Sequence, residues 1–250
     1  MNGRPVQDYA QTHDYAADEQ ARSHTAHVVR ELGMSIVAGT YPEKSILPGD
    51  AELMERFGVS RTVLREAMKT LSGKGLIQAK ARIGTRVRQR AEWNLFDPDV
   101  LIWHAKNGFE GEFLTYLGEM RLALEPEAAA LAAQRRTPLQ LQHLYSWVEK
   151  MGADEVSAAD FVQADLSFHL AVAAAAANPF LRSISTLIEV ALVAMLTISS
   201  PIEDPIEHAQ SVAAHRAIAD AIARRDPDKA REAMRVVINQ GIERRWRRKS

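Results

Sequence analysis

The run from Leu47 to Arg90, LPGDAELMERFGVSRTVLREAMKTLSGKGLIQAKARIGTRVRQR, constrains this chain most, because a helical period gives way there to a strand-like one. Asp50 reads as an N-cap, Leu53, Met54 and Phe57 supply one buried face, and Gly58 suits a left-handed C-terminal turn. That is a helix of about two turns. Ser60 then caps a second helix whose Val63, Leu64, Ala67, Met68 and Leu71 recur at the three-four spacing. Arg61, Thr62, Arg65 and Lys69 lie off that stripe and leave a basic face free. After Gly73 and Gly75 come two short strand-like runs, Leu76, Ile77 and Ala79, then Arg86, Val87 and Arg88, around a tip of Arg82, Ile83, Gly84 and Thr85. Two short helices followed by a basic hairpin make a winged helix-turn-helix.

In such a unit the N-terminal residues of the second helix meet base edges in the major groove. This assigns DNA contact to Arg61, Thr62, Arg65 and Lys69 on the helix and to Arg82, Gly84 and Thr85 on the wing. Arg can fork onto guanine or phosphate, and a helix N-terminus attracts phosphate. Any one basic helix face is most often merely solvated, but here the charge is localised. Residues 28–90 hold twelve Lys or Arg against six Asp or Glu, whereas residues 91–250 hold seventeen against twenty-two. A net charge of −1 therefore conceals a basic module joined to an acidic one, as expected when only one domain meets phosphate.

The same residues carry a family resemblance. The run Leu47-Pro48, Glu52-Leu53, Gly58-Val59-Ser60-Arg61, Leu64-Arg65-Glu66-Ala67, Leu71 and Gly75-Leu76 resembles the DNA-binding domain of the GntR family of bacterial transcription regulators, over residues 28–90. Two departures stand out. Ala51 occupies a position where the family often has Arg, and the usual Gly-x-Gly-Thr wing tip is here Arg82-Ile83-Gly84-Thr85. The resemblance implies that the first change weakens or redirects recognition and that the second adds a charge to the wing.

Around this stretch the chain divides into four parts. Residues 1–24 are polar without period and read as a flexible arm, with Arg4 and Arg22 against four acids. Residues 25–90 are the winged domain, whose first helix is marked by Val28, Val29, Leu32, Ile36 and Val37 and ends near Gly39. Residues 91–106 break at Asp97-Pro98 yet carry Trp93, Phe96, Leu101 and Trp103, the signature of a linker that packs on a domain surface. This linker is similar to that of GntR-family regulators responsive to galactonate. Residues 107–250 read as helix throughout, at about 111–135, 138–152, 157–176, 179–199, 205–225 and 227–246, with boundaries at Pro138, Gly152, Pro179, Pro201 and Pro227. The expected fold is mainly α, a three-helix winged helix-turn-helix with a small β-wing joined to an all-α antiparallel bundle. The chain has no cysteine, which excludes disulfides and thiolate metal sites. It shows no signal-like apolar stretch and none of membrane-spanning length. A cytoplasmic protein without a membrane partner is expected.

In the bundle the chemically distinctive residues are Asp165, His169 and His215. Asp165 and His169 are four apart and leave one helix face together, and a His from another helix can complete most of a divalent metal site. The helical half also resembles the FCD domain of the FadR subgroup, in EMRLALEPEAAALAA, ADLSFHLAVAAAAANPFL and AAHRAIADAIARRDPDKAREAM. The resemblance implies a site of one Asp and three His for Zn, Ni or Mn, to which Asp165, His169 and His215 correspond, while the fourth position falls at Val237, which cannot ligate. It also implies an effector pocket with Arg121, Asp165, His169 and His215 facing a small carboxylate; the alternative for Arg121 is a salt bridge to Glu125 or Glu119. His208 is expected to be exposed, and the terminal RRWRRK to be a solvated helix end. The expected function is a homodimeric, ligand-responsive regulator of an operator, a repressor released by a sugar acid such as an aldonate. The rival is a metalloenzyme built on the Asp165, His169 and His215 cluster.

Overall fold

The computed structural model describes residues 7–107, 111–183, 188–190, 192–193 and 200–249, and it separates into two compact units, Met1–Gly108 and Phe109–Ser250. The first contains α1 (Gln7–Val37), α2 (Asp50–Phe57), α3 (Arg61–Gly73), β1 (Ile77–Lys80), β2 (Gly84–Val87) and α4 (Pro98–Lys106). The expected apolar positions form its core: Val28, Leu32, Ile36, Leu53, Leu64 and Leu71 are all buried. Ser60 caps α3 by accepting from Val63 N. Gly49 rather than Asp50 sits at the N-cap of α2, so Asp50 and Glu52 favour this helix by placing charge at its positive end. Gly58 takes the left-handed turn foreseen for it, with φ +62°.

α3 ends in a Schellman-type turn, in which Leu76 N donates to Leu71 O (3.1 Å) and Gly75 is at φ +78°. A Cβ on Gly75 would also fall 2.6 Å from the carbonyl oxygen of Glu92, so this position admits only glycine. The strands β1 and β2 pair antiparallel in the register Ile77↔Val87, Gln78↔Arg86, Ala79↔Thr85 and Lys80↔Gly84. The chain before α2 adds a short third edge, through an Ile46↔Arg86 bridge and a bond from Leu47 N to Thr85 O (2.8 Å). The wing is therefore tied to the loop that leads into α2.

Two parts of this unit differ from expectation. Residues 7–24 continue α1 as helix instead of forming an irregular arm, while residues 1–6 lie outside the described residues. Ala10, Ala16, Ala17 and Ala21 are good helix formers, and neither Gly nor Pro interrupts the run before Gly33. Residues 91–106 pack, as their apolar side chains imply, but where a break was expected a helix begins. Trp93, Val100 and Trp103 belong to the core of the winged unit, and Asp97-Pro98 is a start signal, with Asp97 capping α4 and Pro98 in its first turn. Lys74 fastens this segment, donating to both Asp97 oxygens (2.8 and 2.9 Å) and to Asp99 (2.7 Å). Burial pulls the Lys74 ammonium down, but these carboxylates outweigh it and raise it above its ordinary value.

The Trp103 ring lies on α1 where Gly33 leaves room, since a Cβ there would sit 2.2 Å from Cζ3. Gly33→Ala should therefore destabilise the winged unit by about 1–3 kcal/mol through overpacking, although Ala is the better helix former. Urea unfolding measures this directly, and a midpoint at or above that of the parent would refute it.

The second unit is helical, with α5 (Gly111–Arg135), α6 (Pro138–Met151), α7 (Ala158–Ala175), α8 (Pro179–Ser183), α9 (Pro205–Ala223) and α10 (Pro227–Lys249). Of the helix expected at 179–199, residues 184–187, 191 and 194–199 lie outside the described residues. The boundaries are made by the expected signals. Thr137 closes a capping box with Gln140, and Asp226 accepts from Lys229 N. Phe161, Phe168, Leu144, Val148, Ile218, Ile222 and Met234 fill the core, and the small Ala129, Ala133 and Ala175 let helices approach closely. No described helix is long and apolar enough to cross a membrane.

Candidate functional site

Two surfaces carry chemistry, one in each unit. On the winged unit Arg61, Thr62, Arg65 and Lys69 are all exposed along α3, and Arg82 and Gly84 are exposed at the wing. Thr85 is half-buried, and its carbonyl accepts from Leu47 N. Gly84 (φ +109°) and Arg82 (φ +63°) form the reversal that projects the tip. Sequence reasoning and structure agree on which side of α3 is free, since Val63, Leu64, Ala67 and Leu71 are buried on the other. Arg86 is committed within the fold, its Nε donating to Lys44 O.

In the helical unit Asp165 and His169 on α7 meet His215 on α9. All three are at most 4 % exposed, and one ligand atom from each lies within 4.8 Å of the others. Asp165 Oδ1 is 3.6 Å from His169 Nε2, and Asp165 Oδ2 is 3.4 Å from His215 Nε2. Both separations are too long for good hydrogen bonds, and Oδ1 and the two Nε2 atoms have no hydrogen-bond partner in the protein. Such orphaned buried polar atoms are costly unless something else binds them. His215 Nδ1 is 2.7 Å from Ser211 O. A carbonyl only accepts, so Nδ1 carries the proton and the Nε2 lone pair faces Asp165. Phe168 packs edge-on against both rings, 5.2 Å from His215 and 5.9 Å from His169 between centroids. An O/N/N set with unsatisfied lone pairs fits a divalent cation such as Zn, Ni or Mn. Val237 is buried in the apolar core and adds no ligand.

Near the cluster the structure contains the Arg121 salt bridge that sequence held as an alternative, adds Glu125, and buries Arg244 and His208 further than expected. Arg121 is buried and its Nε donates to Glu125 Oε1 at 2.5 Å, so the within-helix salt bridge is present. Glu125, equally buried, also places Oε2 2.5 Å from His169 Nδ1. Burial alone would raise its carboxyl, but Arg121 and His169 outweigh that and hold it down at about 2. Arg244, in the basic terminal run, is only 7 % exposed rather than solvated. Burial lowers the His215 imidazole below its ordinary value, Asp165 opposes this, and His169 and Arg244 add to it, so Arg244 belongs to the electrostatic surroundings of the site. His208 is not exposed either: its Nε2 lies 2.7 Å from Met151 O and its ring stacks edge-on against Phe161.

Comparison with known proteins bears on both surfaces. Residues 24–87 match the model for bacterial regulatory proteins of the gntR family, and residues 116–240 match that for the FCD domain. The chain is 34 % identical over 221 residues to the HTH-type transcriptional regulator YieP of Escherichia coli K12, covering 87 % of this chain and 94 % of that one. It is 34 % identical over 214 residues to the galactonate operon transcriptional repressor of the same strain, with 86 % and 93 % covered. To the transcriptional repressor NanR of Cronobacter sakazakii it is 31 % identical over 222 residues, with 85 % and 81 % covered. Among solved structures, E. coli McbR/YncC aligns with a TM-score of 0.52 at 20 % identity, covering 91 % of this chain and 99 % of the other, a likeness of fold. These relatives are regulators, and the metalloenzyme alternative finds no support in them. A winged helix-turn-helix with a free basic face, followed by a helical domain with a buried Asp-His-His cluster, places this chain in the GntR family of bacterial transcription regulators, among those that carry an FCD domain.

Proposed function

We propose that the chain acts in the cytoplasm as a homodimeric repressor whose operator is released when a small sugar acid, an aldonate such as galactonate, binds the helical unit. The dimer would set two α3 helices on successive major-groove faces of a pseudo-palindromic site. Asp165, His169 and His215 would hold a divalent cation, which when bound supplies a Lewis-acidic anchor for carboxylate oxygens.

The observation that carries the reading is the electrostatics of that buried cluster. Among the described residues the buried arginines Arg121 and Arg244 match in number the buried carboxylates Glu125 and Asp165, so a divalent cation would add positive charge to the site. A buried site of that sign favours an anionic ligand. With Val237 in the fourth position, coordination left open by the protein is available to the carboxylate and hydroxyl oxygens of an aldonate. The resemblance to the galactonate operon repressor supports the same ligand class. Binding regulates only if the acid prefers one dimer geometry over the other.

Isothermal titration with a panel of aldonates tests the ligand class. One acid should bind per chain, and a chelator should abolish or greatly weaken its uptake. Uptake of none of the acids by metal-loaded protein would contradict the proposal.

A further inference from the structure

Glu125 does not belong to the Asp165, His169 and His215 set, yet it is the charged group in closest contact with it. Its residue is 3 % exposed, it sits one helical turn from Arg121 on α5, and it faces His169 across the space between α5 and α7. Arg121 holds it by two contacts, Nε to Oε1 at 2.5 Å and Nη2 to Oε2 at 3.5 Å. A permanently charged guanidinium at that range keeps Glu125 a carboxylate, which can only accept. Oε2 is 2.5 Å from His169 Nδ1, off the axis of a hydrogen bond but too close for any third atom to intervene. A carboxylate at that range repels a lone pair on Nδ1, so the proton of a neutral imidazole is favoured on Nδ1 and the lone pair is left on Nε2, directed toward Asp165 and His215.

We propose that Glu125 is a positioning residue for the centre: clamped by Arg121, it selects the Nδ1–H tautomer of His169 and presents the Nε2 lone pair to a divalent cation. His215 obtains the same arrangement from Ser211 O, so the two imidazoles are oriented by different devices, one a main-chain carbonyl and the other a side-chain carboxylate. Outer-shell partners of this kind fix ring orientation and raise ligand basicity. Arg121, on this account, acts on the ion through Glu125 and His169.

This inference rests on the metal reading above, and the experiment separates the two. Zn2+ affinity of the full chain is measured by chelator competition for the parent, for Glu125→Gln and for the double variant Arg121→Met/Glu125→Leu. The double variant removes both charges, and replacing a buried ion pair by apolar groups is often neutral or stabilising, which guards against simple unfolding. Long-range 15N–1H imidazole spectra of the metal-free proteins report the tautomers, a signature that mere structural support would not move. The expected result is a Zn2+ affinity about 10–100-fold lower in both variants. It is joined by an Nδ1–H signal for His169 in the parent that gives way to mixed tautomers in the double variant. Parent-like affinity in both variants, or an Nε2–H tautomer for His169 in the parent, overturns the inference. A parent that takes up no Zn2+ removes the metal reading, and the tautomer spectra then decide the role of Glu125 alone.

Discussion

Arg65→Ala is expected to weaken operator binding by about 1–3 kcal/mol if Arg65 reads a guanine, with the loss confined to sites that carry that base pair. The side chain is exposed on the first turns of α3, one turn beyond the equally exposed Arg61, and the buried Leu64 and Ala67 beside it fix which way that face points. A phosphate contact has a different signature: affinity falls uniformly across sequences, and the slope of log K against log salt drops by about one. Measuring Arg65→Ala and Arg61→Ala on the operator and on a scrambled duplex at several salt concentrations assigns each Arg. Parent-like affinity for both variants on both duplexes would remove α3 as the recognition helix.

The second large effect is expected at Asp165. Without an ion its carboxylate is buried with one oxygen unpartnered and the other 3.4 Å from an imidazole, a costly arrangement. Asp165→Asn should therefore leave the metal-free protein as stable as the parent, or more so, while abolishing stabilisation by metal. At an ion concentration one hundred times Kd the parent gains about 2.7 kcal/mol, or roughly 5–10 °C in the melting midpoint of a unit of this size. Thermal melts with and without chelator should separate the parent's two midpoints and superimpose those of Asp165→Asn. A variant that responds to chelator as the parent does would exclude Asp165 as a ligand.

The legible parts of the fold are those specified by short-range signals. The stripes of α1 and α3, the Ser60, Thr137 and Asp226 caps and the φ +62° of Gly58 follow from neighbours within about two turns. Residues 7–24 were misread because they form a helix without an apolar stripe, leaving composition to suggest an arm. In residues 91–106 the packing of Trp93 and Trp103 was legible, whereas the helix from Pro98 and the partners of those rings were not. Their Trp and Val side chains do pack, but against residues such as Gly33, some 70 positions earlier, and sequence gives no sign of the space a missing Cβ leaves. The Asp165–His169 spacing disclosed half of the buried cluster. Its closure by His215, 46 residues on, followed from the family resemblance. Glu125 was visible only as a helix neighbour of Arg121, because its contact with His169 spans 44 positions and two helices. A signal for Arg244 was present: with an Ile242 on the core side of the same helix, the terminal basic run need not be solvated on every face.

The central claim is that one acid, acting on the helical unit, controls the grip of the winged unit on DNA. Fluorescence anisotropy with DNA from upstream of the protein's own gene tests it most directly, run with and without the aldonate panel and with and without a chelator. Tight binding in the absence of acid, release by one aldonate, and loss of that release in chelator are expected. DNA bound with equal affinity in the presence and absence of every acid would contradict the claim, and failure to bind DNA even in low salt, where phosphate contacts are strongest, would contradict the role given to α3 and the wing.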